Sequence, residues 1–415
     1  MATAALRDLA RDLLRHGLAA VAGDRQVAAA LQRQRWPAAG LPPPAVVAIG
    51  KAAPAMAAGA LAQLQAVAAV LIITRHGHAA YPCGAAAVEC LEAGHPLPDQ
   101  ASLDAGARLQ QLLRQLPPAT PLLILLSGGS SALIEALPPG VTLADLIRCN
   151  RWLLASGADI DTINRVRKRL SLLKGGRLAA LIGRRPLLQL VISDVPGDDP
   201  RVIGSGPLVA HDTAALALPP ALLAQAPRWL LQLLQRGIAP TPAPPLPPPQ
   251  LIASNATAVA AVAARAAALG WPVTRHPAPF SAPALQLGRC YGEALRSLTA
   301  PGVLVAGGES RVRLPAQPGY GGRNQHLALA AAIRLAGWPD RVVLAVGSDG
   351  SDGVTGAAGG LVDGATVARA AAAGFAARQT LRRADAGPLL DASGDLVVTG
   401  ATGTNVMDLV VAIRG

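Results

Sequence analysis

Four short, continuously apolar runs in the first half of the chain each end in a turn of glycine or small polar residues. They are "VVAIG" (46–50), "AVLIITRHG" (69–77), "LLILLSGG" (122–129) and "LLQLVISDV" (187–195). A strand with one solvent face alternates apolar and polar residues, whereas a strand covered on both faces does not. Ala/Leu-rich stretches of helical character separate the runs. The pattern predicts an α/β domain of the doubly wound type. It resumes at "LIASN" (251–255), "VLVAGGES" (303–310), "VVLAVGSDG" (342–350), "LVVTGATG" (396–403) and "MDLVVAI" (407–413). Between the halves lies "APTPAPPLPPPQ" (239–250). Proline has no N–H to give a helix or a central strand, so this segment reads as an extended linker. The expected organisation is an α/β domain over 1–238, a linker at 239–250 and a second α/β domain over 251–415.

Composition narrows the function. Hydrophobic residues make up 51% of the 415, yet no apolar run reaches the roughly 18–20 residues that span a bilayer. Cys83, Cys90, Cys149 and Cys290 show no C-x-x-C spacing, which gives neither a zinc site nor a disulfide framework. The expectation is a soluble, cytoplasmic protein with no membrane contact. The opening "ATAALRDLARDLLRHGLAAVAG" sets Leu6, Leu9, Leu13 and Leu14 at helical spacing beside Asp8 and Asp12. It reads as an amphipathic helix, not a targeting signal. The net charge of +12 comes from arginines spread along the chain, with one cluster, "RVRKR" (165–169). No nucleic-acid module accompanies them. The positive field suits a small anionic substrate or a nucleotide.

Among 37 basic residues only three are lysine: Lys51, Lys168 and Lys174. Ligands of open α/β sheets bind beyond the carboxyl ends of the strands, so the residues following each run are the candidates. Gly50-Lys51 follows the first run, where helix-start amides and a mobile ammonium suit an anion. "SGGSSA" (127–132) follows the third. Gly128 and Gly129 allow close backbone approach, and Ser127, Ser130 and Ser131 offer hydroxyls. The spacing is neither a Walker A loop nor a nucleophile elbow. In "INRVRKRLSLLKGGRLA" (163–179), Arg165, Arg167 and Arg169 are expected on a solvated helix face, with Lys168 and Lys174 as ligand candidates. "SDVPGDDPRVIGSGP" (193–207) aims Asp194 from a strand end, while Asp198 and Asp199 suit turn capping. A carboxylate there fits Mg²⁺, which takes one or two protein carboxylates plus phosphate oxygens.

The second half repeats the logic. Glu309 lies at the strand end in "AGGES" (306–310), and Arg323, Asn324 and Gln325 stand at an expected helix start in "GYGGRNQH" (319–326). An arginine there suits the charge of a transferring phosphoryl group. Asp349 and Asp352 lie in "GSDGSDGVTGAAGG" (347–360), and Thr402, Thr404 and Asn405 in "GATGTN" (400–405). His76, His78 and His95 fall in loops without metal-ligand spacing.

Taken in order, "AIGKAAPAM", "AGHPLPD", "LLSGGSSAL", "LLASGADIDTINRVRKRLSLLKGGRLA", "VISDVPGDDPRVIGSGP", "VAGGESRV", "GYGGRNQHLAL", "VGSDGSDGVTGAAGGLVDG" and "TGATGTNVMDLV" resemble the class II glycerate 2-kinases, whose C-terminal part is the MOFRL module. The resemblance spans nearly the whole chain. It implies ATP-dependent phosphorylation of the 2-hydroxyl of D-glycerate with Mg²⁺, giving 2-phospho-D-glycerate. It implies a Rossmann-like N-terminal domain, a second α/β domain, a cleft between them, and a monomer or homodimer. Lys51 and Arg323 take the positions of the family's lysine and arginine; Asp194, from its strand-end position, is the expected third catalytic residue and metal ligand. Ser127, Gly128, Gly129, Ser130, Lys168, Lys174, Glu309, Asn324, Asp349, Thr404 and Asn405 are the expected substrate and nucleotide contacts. The chain departs from the pattern at Ser130, Arg169 and Ala401, where the family usually has glycine, often histidine, and proline.

The expected chemistry is in-line transfer, with glycerate's carboxylate held by Arg323 and Lys51 and the proton taken by Asp194 or Asp349. Two rivals stand beside it. Members of this family have been labelled hydroxypyruvate reductases, but no strand–G-x-G-x-x-G–helix fingerprint for NAD(P) is found. A nucleotide- or sugar-acid-binding regulator without turnover is the other.

Overall fold

The computed structural model describes residues 2–79, 88–156, 160–209, 217–238 and 246–415. The chain divides into two units, residues 23–252 and residues 1–22 with 253–415. Each is built on a six-stranded sheet with helices, which is the expected α/β class. Among the described residues no helix is long and apolar enough to cross a membrane.

The first sheet contains β1 (Ala45–Ile49), β2 (Ala69–Arg75), β3 (Val88–Ala93), β4 (Leu122–Leu126), β5 (Leu187–Ile192) and β6 (Gln250–Ala253). Its order is β3-β2-β1-β4-β5-β6, and the pairs from β3 through β5 are parallel. Every residue of β1, β4 and β5 is buried, which accounts for the uninterrupted apolar runs. The strand order runs one way from β1 to β3 and the other way from β4 to β6. The carboxyl ends of β1 and β4 therefore flank the switch point where doubly wound sheets hold ligands. Asp99 and Ser102 form a capping box that starts the helix Gln100–Gln115, whose Leu109, Leu112 and Leu113 join the core under the sheet. Leu146, Leu153, Val166, Leu170, Leu230 and Leu233 make a separate apolar cluster among helices.

The second sheet contains β7 (Val273–Arg275), β8 (Gly302–Gly308), β9 (Arg341–Gly347), β10 (Gly359–Asp363), β11 (Leu396–Val397) and β12 (Asp408–Arg414). Its order is β11-β10-β9-β12-β8-β7, antiparallel throughout except for the β7–β8 pair. The last strand, β12, occupies the centre between β8 and β9. Its apolar run matches those of the parallel sheet because it too is covered on both faces.

Two boundaries differ from the expected organisation. The helix Thr3–Ala19 packs with the second unit, not the first. Its buried stripe of Leu6, Ala10, Leu13 and Leu14 lies against the helix Asn255–Ala268 and strands β9 and β12. Arg7 pairs with Asp363 at 2.5 Å and Asp395 at 2.8 Å, and Arg265 with Asp12 at 2.9 Å. The amphipathic pattern was legible, but not the surface it covers. The proline-rich segment also ends on the first sheet. Leu246 packs against the core, Gln189 Nε2 donates to the Pro247 carbonyl at 2.7 Å, and Gln250 opens β6. Residues 239–245 of the expected linker lie outside the described residues, as does Cys83. Cys149 and Cys290 are free thiols.

Candidate active site

In the first unit the carboxyl ends of β1 and β4 are tied together by backbone. The Lys51 N–H donates to the Gly128 carbonyl at 2.9 Å, and the Ser127 N–H to the Ile49 carbonyl at 3.0 Å. The Ser127 hydroxyl accepts from the Ala52 N–H at 3.1 Å. Gly50 has φ of 130°, and a Cβ on it would collide with Ser127; only glycine serves at this crossing. Gly129 has φ of 87°, and a Cβ there would stand 3.1 Å from the His95 ring and 3.3 Å from the Lys51 side chain. Lys51, His95 and the Ser127–Gly129 turn thus converge at the switch point. His95 follows β3, and its loop position alone did not single it out.

The serines behind this turn are internal. Ser127 and Ser130 are buried, and the Ser130 hydroxyl has no hydrogen-bond partner. Ser131 shares a hydrogen bond with Ser205 at 2.8 Å, and Ser205 donates to Asn164 at 3.1 Å. This ties the serine turn to "VIGSGP", a link between segments far apart in sequence. Asp194 stands half-buried two residues beyond β5, the neighbour of β4.

The two remaining lysines are enclosed. Lys174 is 2% exposed, and its ammonium lies 2.5 Å from Glu135 and 3.3 Å from the Ile134 carbonyl. Burial pushes its pKa down, opposed by the Glu135 charge. Ser171 also donates to Glu135, at 2.5 Å. Lys174 is therefore half of an internal ion pair in this structure. Lys168 is buried as well, and donates to the Arg201 carbonyl at 3.0 Å. Burial pulls its pKa down to about 8, against the raising influence of Asp199. Arg201 in turn grips Asp199, with Nε to Oδ1 at 3.0 Å and Nη2 to Oδ2 at 2.7 Å. The neighbouring arginines are not solvated as expected. Arg165, Arg167 and Arg169 are partly buried, and their guanidiniums satisfy Ala217, Asn150 and Leu234. They tie the helix that carries them to a neighbouring loop, to a helix side chain and to a helix end.

In the second unit the antiparallel register brings a set of carboxylates to one sheet edge. Asp408 at the start of β12 is level with Gly308 at the end of β8 and with Gly347 at the end of β9. Glu309 follows Gly308, and Asp349 follows Gly347 by two residues. Arg323 opens the helix Arg323–Leu335. Its Nε and Nη2 donate to Asp408 at 2.7 and 2.9 Å, and Nη1 donates to Glu309 at 2.6 Å. Burial works against the guanidinium charge, but Asp408, Glu309 and Asp352 outweigh it and raise the pKa further. The remaining N–H donors of Nη1 and Nη2 are available for an anionic ligand.

Asp352 caps this helix. Its oxygens accept from the Asn324 N–H at 3.0 Å and the Gln325 N–H at 2.8 Å. Burial pushes its pKa up to about 7 despite those two amides. Asn324 is fully buried, and its side chain reaches Asp352 at 3.3 Å, with Oδ1 unpartnered. Asp349 accepts from Ser351 N–H at 2.9 Å and shapes its own turn. The Ser348 hydroxyl accepts from the Val406 N–H at 2.7 Å, and Thr402 donates to the Ser348 carbonyl at 2.5 Å. Thr404 and Asn405 are buried in the loop so pinned, and the Thr404 hydroxyl has no partner. Asp408 is the member of this group that sequence reasoning did not name, and Asp352 was named beside Asp349 without a role. Asp408 reads as the first residue of an apolar strand.

Comparison with known proteins adds an independent line. Residues 9–225 match a family model described as a domain of unknown function, DUF4147, and residues 302–408 match the MOFRL family. The chain is 35% identical over 431 residues to the D-glycerate 2-kinase of Thermotoga maritima, covering 98% of each chain. It is 39% identical over 391 residues to an Agrobacterium vitis protein provisionally named hydroxypyruvate reductase, covering 89% of this chain and 99% of that one. The crystal structure of Thermotoga maritima glycerate kinase superposes with a TM-score of 0.83 at 33% identity, over 99% of this chain and 100% of that one. With the paired domain models, the full-length match and the shared fold, the chain belongs to the glycerate 2-kinase family with a MOFRL domain.

Proposed function

We propose that this protein phosphorylates the 2-hydroxyl of D-glycerate from ATP, releasing 2-phospho-D-glycerate and ADP. The observation that carries the reading is Lys51 at the β1–β4 switch point, beside a glycine-serine turn whose backbone approaches without side-chain obstruction. An ammonium on a flexible stem follows a phosphoryl oxygen as it moves, whereas a planar guanidinium suits a fixed partner. Arg323 is such a fixed group, set by Asp408 and Glu309, and its remaining donors suit glycerate's carboxylate.

Asp194 is the residue for Mg²⁺. It is a half-buried carboxylate just beyond β5, the strand paired with β4, while Asp199 is already held by Arg201. Among the described residues no group of three His, Cys, Asp or Glu side chains forms a metal cluster. A single carboxylate suits an ion that completes its shell with phosphate oxygens and water. When bound, Mg²⁺ would neutralise phosphate charge; the chain's own groups position both substrates and exclude water. Asp194 or Asp349 accepts the hydroxyl proton.

A coupled assay tests the reading. D-glycerate, ATP and Mg²⁺ should yield ADP with a phosphorus resonance for the 2-phosphate. Oxidation of NADH by hydroxypyruvate without ADP formation would overturn it in favour of the reductase name carried by the Agrobacterium vitis relative. Ligand binding with neither turnover would point to a regulator.

A further inference from the structure

The second unit holds a pocket of about 460 Å³ whose walls include none of the residues assigned above to phosphoryl transfer. Four segments build it. The helix Ala284–Ser297 contributes Leu285 and, one turn on, Arg289. The stretch after β8 contributes Arg311 and Arg313, two apart and so on one side of extended chain. The helix Arg323–Leu335 contributes His326, Ala330 and Arg334 at successive four-residue steps. The helix Ala377–Arg382 contributes Arg378 and Arg382. Val312, Ile333 and Leu381 give an apolar lining between them.

Six guanidiniums thus surround one concavity. Among the described residues none of the six has a carboxylate within ion-pair distance, whereas Arg7, Arg323, Arg341 and Arg369 of the same unit are all paired. The arginine-rich composition accounts for exposed arginines, but not for their convergence without acids. A second observation is independent of charge. His326 is only 7% exposed, lines the pocket, and its buried Nδ1 has no hydrogen-bond partner. Nearly all buried polar groups in folded proteins are satisfied, so an orphan on a pocket wall marks a place for a ligand atom or water.

Like charges around a low-dielectric hollow repel one another and focus a positive potential into it. A polyanion relieves that repulsion. The volume lies in the range of about 300–1,000 Å³ typical of small-molecule sites. Planar guanidinium forks match phosphate oxygens in pairs. We propose that this pocket is a second ligand site, taking a small organic polyanion that carries more than one phosphate group, with His326 contributing to its wall. The site stands whether or not the kinase reading above is correct.

Titration calorimetry on the full chain with inorganic tripolyphosphate tests it. Wild type and Lys51→Ala should both show a binding event that Arg313→Gln/Arg378→Gln weakens by about tenfold or more. Both arginines are exposed and unpaired, so the double variant is expected to fold, as circular dichroism checks. If it does not, Arg378→Gln alone is titrated. Unchanged affinity in the folded variant overturns the site. Citrate binding as tightly as tripolyphosphate overturns the assignment to phosphates. Displacement of tripolyphosphate by a single-stranded oligonucleotide at lower concentration than by a nucleoside triphosphate would overturn the small-molecule reading in favour of nucleic acid.

Discussion

Arg323 and Asp408 meet edge to edge, Nε to Oδ2 at 2.7 Å and Nη2 to Oδ1 at 2.9 Å, although 85 residues separate them. Asp408 is completely buried, while Arg323 is about one third exposed. Removing the guanidinium leaves a buried carboxylate without its cation. Arg323→Gln should cost about 2 kcal/mol, less than for a fully enclosed pair because water reaches the arginine. Adding Asp408→Asn should return part of that loss, and urea unfolding of the four species measures the coupling. D-glycerate phosphorylation should fall in Asp408→Asn as well, since Arg323 loses the partner that orients it.

Lys51 carries the proposal for transfer. Lys51→Ala should lower kcat by about 10²–10³-fold, the usual loss for one charge-stabilising donor. Lys51→Arg should restore only a minor part, because its fork must fit beside Gly129 and His95. Steady-state kinetics with D-glycerate decides; full kcat in Lys51→Arg would refute the account of this residue.

Two buried groups near the start of the helix Arg323–Leu335 titrate in opposite senses. Asp352 is pushed up to about 7 by burial, so between its ordinary value and 7 the native state holds a proton that the unfolded chain has released. Its contribution to stability therefore falls as pH rises through that window. His326 is pushed down to about 4 by burial, so the unfolded chain binds a proton that the native state refuses. Its contribution rises with pH between about 4 and its ordinary value. The two offset each other where the windows overlap. Asp352→Asn should leave stability rising with pH there, and His326→Gln should leave it falling. Urea midpoints across the window give the slopes.

Lys174 and Glu135 should behave as a structural pair. Lys174→Met strands a buried carboxylate and should cost about 3–5 kcal/mol. Lys174→Met with Glu135→Gln keeps the acceptor for Ser171 and should recover most of it. The KM for glycerate in that double variant should match wild type; a large rise would reinstate Lys174 as a ligand.

The parts of the site that were legible in sequence are those set by local pattern. Gly50-Lys51 and the Ser127–Gly129 turn follow uninterrupted buried strands, so their place at a sheet edge could be read from the runs before them. Asp408 could not, because its role depends on β12 inserting antiparallel between β8 and β9. The pairing of Lys174 was not legible because its partner lies 39 residues earlier, and scarcity of lysine marks a selected position without saying what it is selected for. Strand β3 escaped notice because it is largely half-buried and carries Glu89 and Glu92. Strand β10 was hidden in the tail of a glycine-rich stretch that reads as loop.

The placement of the helix Thr3–Ala19 on the sheet completed by β12 has a consequence for biosynthesis. The first helix leaves the ribosome long before the surface it covers, and residues 23–252 are made in between. Residues 23–252 have nearly all their strands in hand while the other unit waits for its central strand, the last to be translated. A nascent chain stalled before residue 408 should therefore expose the leucine stripe of the helix Thr3–Ala19 to chaperones, while residues 23–252 already resist protease.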